Sequence, residues 1–182
     1  PRSTLFPYTT LFRSVTCEKE KQNKSYNKKN NFTILENKEL LAKMKSTNKD
    51  IVAVNQIFTT SANPITIVSV AKSKAQNTYF DDISKLNTNI KILIIVDELR
   101  NDISNLYMIL WRVVNNIDGA RDVVIKNGMI FIDGTNKTKK HDNFLRQWPD
   151  DVLCDESVLK NLEKRKLIPK LSDEFISKWG LL

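Results

Sequence analysis

The sequence predicts an α/β domain with a small mixed sheet that contains a parallel crossover and a hairpin, covered by helices and followed by C-terminal helices. Residues 92–96 form a short apolar run rich in β-branched residues, which indicates a strand buried on both faces of a sheet. A segment with helical spacing separates this run from an earlier apolar strand, which predicts a parallel crossover. Asn127-Gly128, between two apolar runs, is a strong hairpin signal.

The first 49 residues precede the predicted domain. Residues 1–14 resemble translated adapter sequence, and no Met begins the chain, so we expect this segment to be artefactual. Residues 15–49 are predicted to be a basic linker, because their Lys and Asn rich first half offers little apolar surface to bury. A short helix is predicted at residues 37–45, with Leu40, Leu41 and Met44 on one side.

The domain is predicted to open with two strands and a crossover helix. Residues 51–58 and 64–71 are apolar and β-branched, and the TTSAN segment between them is typical of a turn. The helix that follows is indicated by the apolar residues Tyr79, Phe80, Ile83 and Leu86, which fall at helical spacing. This helix leads to the buried strand at residues 92–96.

The next predicted helix covers residues 105–117, and Ser104 is its expected N-cap. Its apolar residues form a wide stripe, so we expect the helix to be mostly buried. The stripe comprises Leu106, Ile109, Leu110, Val113, Val114 and Ile117. Beside it, Tyr107, Met108 and Trp111 favour sheet packing or a subunit contact over a cofactor pocket.

Residues 152–182 are predicted to be a helical tail that forms an interaction surface. Asp155 is a good N-cap for its first helix, whose inward residues are expected to be Val158, Leu159, Leu162 and Leu167. Ser172 is the expected cap of a last short helix, which Gly180 would end.

The positive charge of the chain is concentrated at its N-terminal end. Residues 1–49 carry 11 Lys and Arg against 4 Glu, whereas residues 50–182 carry 18 Lys and Arg against 17 Asp and Glu. A predicted domain so close to neutral disfavours a nucleic-acid partner, although a basic arm binding a polyanion stays an alternative. With only Cys17 and Cys154 and no apolar run of membrane-spanning length, we expect a cytoplasmic protein without an integral membrane segment.

Polar residues crowd the end of two predicted strands. Asp97 follows the buried strand, and Asp133, Thr135, Asn136 and Lys137 follow the second strand of the hairpin. Ligands bind at the carboxyl ends of strands in open α/β sheets, so these groups are candidates for holding a charged ligand. The residues by themselves favour a simpler alternative, in which an Asp or Thr turn closes the strand. No nucleotide-binding or hydrolase motif is present in the sequence.

Four segments in register resemble the C-terminal domain of the UbiD family of carboxy-lyases. They are Val96-Asp97-Glu98, the helix through Trp111, the turn at residues 118–122, and Ile132 to Lys137, followed by WPDD at 148–151. The resemblance covers residues 50–151 and implies an α/β domain. Gly134 stands where Ala is commoner in the family, and Gly119 where Pro is commoner. The spaced WPDD segment is similar to the menaquinone branch rather than to the ubiquinone branch.

The resemblance implies a non-oxidative decarboxylase of an aromatic acid that uses prenylated FMN, a divalent metal (Mn or Mg) and a monovalent cation. The family's metal ligands and acid-base residues lie mainly in an upstream flavin-binding domain, so this fragment is expected to hold no cofactor or metal and to be inactive alone. The resemblance also implies that four residues face the flavin-binding domain: Asp133, Thr135, Asn136 and Lys137. Asp97 and Arg121 are implied to be their structural polar partners. The resemblance also implies a homo-oligomer. The alternative to the decarboxylase is a non-catalytic oligomerisation or interaction module with the same α/β design.

Overall fold

A computed structural model describes residues 34–86, 88–98, 102–151 and 153–179. The strands are β1 (Ile51–Ile57), β2 (Ile65–Val70), β3 (Ile92–Asp97), β4 (Val123–Lys126) and β5 (Met129–Asp133). The helices are α1 (Asn37–Thr47), α2 (Gln76–Ser84), α3 (Leu106–Asn116), α4 (Lys139–Asp142), α5 (Glu156–Lys164) and α6 (Asp173–Trp179). The predicted adapter segment, the first part of the predicted linker with Cys17, and Gly180 lie outside the described residues.

The five strands form one mixed sheet in the order β1-β2-β3-β5-β4. β3 pairs in parallel with β2 on one side and with β5 on the other, while β1–β2 and β4–β5 are antiparallel. The apolar run of residues 92–96 therefore lies at the centre of the sheet, as its composition predicts. The predicted fold class is confirmed, including the parallel crossover from β2 through α2 to β3.

Side chains of the central strand alternate between two apolar layers. Leu93 and Ile95 belong to a core that also contains buried residues of α1 and α2. Val96 belongs to a second core, with Ile109 and Val113 of α3. The domain thus has three layers, with α1 and α2 on one face of the sheet and α3 on the other.

Helix α1 is part of this packed unit. Leu40 and Met44, one turn apart, are 1% and 0% exposed and join the core with Ile51 of β1. The helix was predicted, but as part of a linker, because nothing local in the sequence shows that its apolar side lies against β1. The segment from Ile34 onward therefore belongs to the same compact unit as the sheet.

The hairpin between β4 and β5 has the predicted two-residue turn. Asn127 and Gly128 both adopt positive φ values, 55° and 73°. Positive φ at both central residues is the requirement of a type I′ turn, whose twist matches that of the flanking strands. The turn aligns Lys126 with Met129 and sets the register that brings Asp133 to the end of β5.

Helix α3 differs from its prediction. We expected it to be mostly buried, but its buried residues are only Ile109, Arg112 and Val113. Five other apolar side chains of the helix are between 42% and 62% exposed: Leu106, Tyr107, Leu110, Trp111 and Val114. A charged residue takes the third buried position because Arg112 forms a two-point ion pair with Asp151, at 2.8 and 2.7 Å.

Predictions for the helix caps are partly wrong. Asn105, rather than Ser104, caps α3 by accepting a hydrogen bond from Met108 N at 3.3 Å. Ser104 instead donates its hydroxyl to Asp102 at 2.7 Å. Asp155 does cap α5 through the N–H groups of two following residues, at 2.7 and 3.3 Å.

Two side chains of the tail also differ from the prediction. Val158 and Leu167 were expected to point inward but are 53% and 60% exposed. Helix α5 ends at Lys164, and Lys166 has a left-handed φ of 56°, so Leu167 leaves the helical path. Ser172 Oγ accepts from Phe175 N at 3.1 Å, which confirms the predicted cap of α6.

Candidate functional site

The polar groups singled out in the sequence meet at one edge of the sheet. Because β2, β3 and β5 run in parallel, their carboxyl ends lie side by side. Asp97 pairs in register with Val70, and Asp133 pairs with Ile95. Residues 133–137 begin with the last residue of β5, and they contact Asp97 at the end of β3 and Lys72 just after β2. We call them the edge loop.

Alternate side chains of the edge loop point inward. Asp133, Thr135 and Lys137 are 0%, 0% and 2% exposed, whereas Asn136 is exposed. Asp133 Oδ1 accepts from both the N–H and the hydroxyl of Thr135, at 3.0 and 2.6 Å. This is the side-chain turn that the residues alone favoured, and it closes β5.

Lys137 is a buried cation held between two carboxylates. Its Nζ donates to the carbonyl of Asp133 at 2.9 Å and lies 2.8 Å from Asp133 Oδ2 and 3.4 Å from Asp122 Oδ1. Asp133 Oδ2 has no donor in hydrogen-bond alignment, so its contact with Lys137 is an ion pair without a directional bond. Such mutual neutralisation is what allows ionic groups to remain buried.

The second carboxylate, Asp122, precedes β4 and is fully buried. Burial by itself would raise its pKa, but the hydrogen bonds from Arg121 and from Asp118 N, with the charge of Lys137, outweigh burial and lower the pKa below its ordinary value. Arg121 reaches Asp122 with Nε at 2.8 Å and with a terminal nitrogen at 2.6 Å. The predicted structural partner Arg121 thus lies one ion pair away from the edge loop.

The guanidinium of Arg121 also has aromatic neighbours. Its Cζ lies 5.4 Å from the ring centroid of Phe144 and 5.9 Å from that of Trp148. The two rings meet edge to face, with centroids 5.1 Å apart. Arg121 therefore combines its ion pair with Asp122 and cation–π contacts with both rings.

Glycine at position 134 avoids a steric clash. A Cβ built on it would lie 2.8 Å from Val113 Cγ2 and 3.1 Å from the carbonyl oxygen of Ile95. The backbone of the edge loop approaches this closely because Gly134 N donates to the same carbonyl at 2.9 Å. Glycine therefore allows the loop to lie directly between β3 and α3.

Asn136 is the exposed member of the edge loop, and both its backbone N–H and its side chain form hydrogen bonds. Its N–H donates to Asp97 Oδ2 at 2.7 Å, and its side-chain oxygen accepts from Asn116 Nδ2 at 3.1 Å. Burial raises the pKa of Asp97 above its ordinary value, and the Asn136 N–H offsets this only in part. Asp97 thus meets the edge loop directly.

Lys72 and Asp142, which sequence reasoning missed, hold the edge loop from the side of β2. Lys72 Nζ donates to Thr135 Oγ1 at 2.8 Å, to the carbonyl of Asn136 at 2.9 Å and to both oxygens of Asp142 at 2.8 and 2.7 Å. Asp142 Oδ2 also accepts from Thr138 N at 2.7 Å. One feature of the sequence could have indicated Lys72, since it directly follows the end of the strand predicted at residues 64–71.

The inward side chains of the edge loop form a closed network of hydrogen bonds and ion pairs. The inward side chains of the edge loop bind one another, so they do not fit as ligands of a flavin or a metal ion. Across the described ranges, no three His, Cys, Asp or Glu residues are grouped in a way that could hold a metal. The part of the loop available to another surface is Asn136, with the exposed residues that follow it.

Comparison with known proteins identifies the fold family. A family model for the 3-octaprenyl-4-hydroxybenzoate carboxy-lyase (UbiD) C-terminal domain matches residues 32–140. This chain belongs to the UbiD family. Two uncharacterized proteins from two strains of Helicobacter pylori are each 36% identical to this UbiD chain over 137 residues, which is 75% of it and 22% of each relative. The UbiD chain therefore spans less than a quarter of the length of these curated relatives.

Solved structures show the same fold. The vanillic acid decarboxylase of Sedimentibacter hydroxybenzoicus in open form has a TM-score of 0.51 and 20% identity over 70% of the UbiD chain and 31% of its own. The UbiD-class enzyme HmfF of Pelotomaculum thermopropionicum in complex with FMN has a TM-score of 0.50 and 14% identity, over 71% and 32%. At these identities the likeness concerns the fold. The family prediction is confirmed, and the menaquinone branch stays a prediction.

The UbiD match begins before the predicted domain boundary at residue 50, since it starts at residue 32. This agrees with the packing of α1 into the core. None of the helices within the described ranges combines the length and the apolar character that a membrane span needs.

Proposed function

We propose that this UbiD C-terminal domain is part of a non-oxidative decarboxylase of an aromatic acid, in which it closes the active site and supplies subunit contacts. The observation that carries the proposal is the edge loop, a buried ionic platform at the carboxyl edge of a UbiD sheet that presents Asn136 outward. Ligand sites of open α/β folds lie at this edge. A cytoplasmic setting, with quinone biosynthesis as the pathway, completes the proposal.

Prenylated FMN and a divalent metal are assigned in this proposal to the upstream flavin-binding domain. The described residues do not fit either group, because the buried side chains of the edge loop bind one another and no metal-binding cluster occurs among them. What the edge loop contributes is a surface of fixed shape. Lys137 donates a hydrogen bond to the backbone carbonyl of Asp133, and Asp97 accepts one from the N–H of Asn136.

The test uses the full-length parent, recovered by reading the source DNA across codons 14 and 15 and produced with prenylated FMN. We expect CO2 release from an aromatic acid, and we expect Asn136→Ala to reduce the release without lowering the melting temperature. Asn115→Ala is the matched control, since Asn115 is an exposed asparagine on α3 whose amide donates to Trp111 O at 2.7 Å. Equal loss of activity in both variants, or in neither, would contradict the role of the edge loop.

Subunit contact is proposed to occur through the exposed apolar face of α3, with a second copy as the partner. This face comprises Leu106, Tyr107, Leu110, Trp111 and Val114. It carries no charged side chain, because Arg112 is buried, so two identical faces meet without repulsion. Trp179 of α6 packs edge to face on Tyr107, with centroids 4.6 Å apart, and this aromatic contact supports an apolar binding role for the face.

Sedimentation of the chain tests this contact. Leu110→Asp with Val114→Asp should convert an oligomer to monomers, because the buried carboxylates would have no partner. Leu145→Asp is the control, since Leu145 is 80% exposed and lies outside α3. An unchanged sedimentation coefficient for the α3 variant would remove α3 from the interface.

The second candidate function is a non-catalytic oligomerisation or interaction module. The same exposed face of α3 favours it, because that face suits a binding role with or without an upstream enzyme. The DNA read separates the two functions: an upstream catalytic domain in frame supports the decarboxylase, and a start codon at this point supports the module.

A further inference from the structure

The turn between β4 and β5 places a side-chain amide beside an unhindered backbone nitrogen. Asn127 and Gly128 form its two central positions, and both are exposed. The backbone nitrogen that follows an asparagine can attack the side-chain carbonyl carbon and close a succinimide ring. A glycine nitrogen attacks most readily, because glycine has no Cβ to hinder the approach. The turn therefore carries the two groups of a deamidation reaction at adjacent positions.

Neither group is held by a partner within the described part of the chain. The side-chain amide of Asn127 forms no hydrogen bond there, and the N–H of Gly128 donates to no acceptor. A Cβ built on Gly128 would have no atom within 4 Å. No described group therefore has to be displaced when the nitrogen of Gly128 moves toward the side chain of Asn127.

Asn143 provides a contrast within the same domain. It is exposed and has a left-handed φ of 52°, close to the 55° of Asn127. The next residue is Phe144, whose N–H donates to the carbonyl of Thr138 at 3.2 Å and whose ring packs on Trp148. The nitrogen that would attack is therefore hydrogen-bonded, and its residue carries a bulky side chain. Two exposed asparagines with similar φ thus differ in the nitrogen that governs the reaction.

We propose that Asn127 is a site of spontaneous deamidation in the folded protein, and that one of its two products weakens the β4–β5 hairpin. The nitrogen of Gly128 forms a bond to Cγ of Asn127, and the Cγ–Nδ2 bond breaks. The displaced nitrogen takes up the proton of Gly128 N and leaves as ammonia, and water then opens the succinimide ring. The net reaction consumes water and releases ammonia, with no oxidation or reduction. This site goes beyond the proposed decarboxylase function and does not depend on it.

The two products differ in the main chain that they leave in the turn. Addition of water to Cγ restores the main chain and gives aspartate, which suits a type I′ turn as asparagine does. Addition to the main-chain carbonyl carbon gives isoaspartate, in which the main chain runs through Cβ and Cγ and is longer by one atom. That link no longer matches a two-residue turn with positive φ at both positions. We expect isoaspartate, and not aspartate, to disturb the pairing of Lys126 with Met129.

Strand β4 depends on this turn more than the inner strands do. It lies at the edge of the sheet, and among the described strands it pairs only with β5. It has four residues, and the two next to the turn, Ile125 and Lys126, are exposed. Loss of the turn leaves few contacts to keep β4 in register, so the effect should appear as a lower melting temperature.

The first experiment incubates the 182-residue chain in neutral and mildly alkaline buffer. Peptide mass spectrometry after digestion at acidic pH then identifies each fragment in which an NH2 group has been replaced by OH. We expect Asn127 to react about tenfold faster than Asn143 or more, a ratio that needs only a small difference in activation free energy. The rate should rise in alkaline buffer, because the attacking nitrogen must lose its proton. Equal rates at Asn127 and Asn143 would overturn the proposal.

A parallel incubation in urea tests the role of the folded turn. In the unfolded chain the Asn127-Gly128 pair should deamidate, which shows that the assay detects the reaction. We expect Asn127 to react in buffer as well, where the hairpin is formed. Reaction in urea alone, with the amide intact in buffer, would show that the folded turn protects Asn127 and would overturn the proposal.

The variant Asn127→Gly removes the amide and keeps the turn, since glycine accepts the same positive φ. Asn143→Gly is the matched control, because it removes the other exposed asparagine with a left-handed φ in the described ranges. The incubation should lower the melting temperature of the parent chain and of Asn143→Gly, but not that of Asn127→Gly. An equal fall in Asn127→Gly would show that another change is responsible and would overturn the effect on the hairpin.

The two products are separated by chromatography and compared with Asn127→Asp, which has the aspartate product at this position from the start. We expect Asn127→Asp to melt like the parent chain. The isoaspartyl fraction should melt at least about 2 °C lower, the shift that a modest loss of stability produces in a domain of this length. Equal melting temperatures of the isoaspartyl fraction and Asn127→Asp would contradict the weakening of the hairpin.

Discussion

Lys72 Nζ lies 2.7 Å from Asp142 Oδ2, and the two side chains are only 6% and 5% exposed. This ion pair joins the segment after β2 to the end of α4. The same ammonium donates to Thr135 and to the carbonyl of Asn136, at 2.8 and 2.9 Å. One buried cation therefore links three segments that meet at the edge loop.

Replacing Lys72 with Met should destabilise the domain strongly. The substitution leaves Asp142 buried without its cation, and breaking a buried pair in this way costs about 3–5 kcal/mol. Lys85→Met is the control: Lys85 is 70% exposed and 3.9 Å from Asp82, so its loss should cost less than about 1 kcal/mol. Urea unfolding measures both. The double variant Lys72→Met with Asp142→Asn should recover part of the loss, and no recovery would argue against the pair as the cause.

Gly134→Ala should destabilise through a steric clash. The new Cβ would meet Val113 Cγ2 at 2.8 Å, so overpacking should cost roughly 1–3 kcal/mol. In the background of Val113→Ala the clashing methyl is gone, and the same substitution should cost much less. A double-mutant cycle by urea unfolding measures this coupling. Additive effects of the two substitutions would show that Val113 is not the obstacle.

Gly128→Ala should destabilise for a different reason. No atom lies within 4 Å of a Cβ built there, but φ is +73°, so the cost arises from the left-handed backbone and should be about 1–2 kcal/mol. Gly128→Asn should cost less, because Asn tolerates this conformation better than Ala. Thermal unfolding compares the two variants. A loss for Asn as large as that for Ala would contradict an origin in the backbone.

Asp97 should make the stability depend on pH in a defined direction. Burial raises the pKa of Asp97 in the folded state. The stability that protonated Asp97 contributes is therefore complete below its unfolded pKa of about 3.9, and it is lost as the pH rises through the folded pKa. Asp97→Asn keeps an acceptor for Asn136 N and removes this loss. The variant should be more stable than the parent at neutral pH, with the difference shrinking near about pH 4. Urea unfolding at both pH values measures it, and a variant less stable at neutral pH would refute the argument.

Much of the sheet was predictable because its signals are local. The apolar run of β3 and the Asn127-Gly128 turn each depend on a few adjacent residues. The buried face of α3 could not be predicted, because apolar residues surround most of the helix and several faces could pack on the sheet. The ion pair of Arg112 with Asp151 selects the face, and the sequence does not show that partnership.

The candidate site divides in the same way. Asp133, Thr135, Asn136 and Lys137 were predicted as a group because they are adjacent at the end of a strand. That three of them point inward was not predicted, since their buried partners come from elsewhere in the chain. Lys72 and Asp122 meet them only after the parallel strands have aligned.

The strand order also bears on how the domain folds. The pairs β1–β2 and β4–β5 join neighbours in sequence, whereas β3 must find Ile130 of β5 across the whole of α3. Contacts between distant residues form slowly, because the intervening chain must first be ordered. The two hairpins can therefore form early, and docking of the second hairpin along β3 is the step that we expect to limit the rate. The edge loop, assembled from β2, β3 and β5, would be among the last parts of the domain to become native.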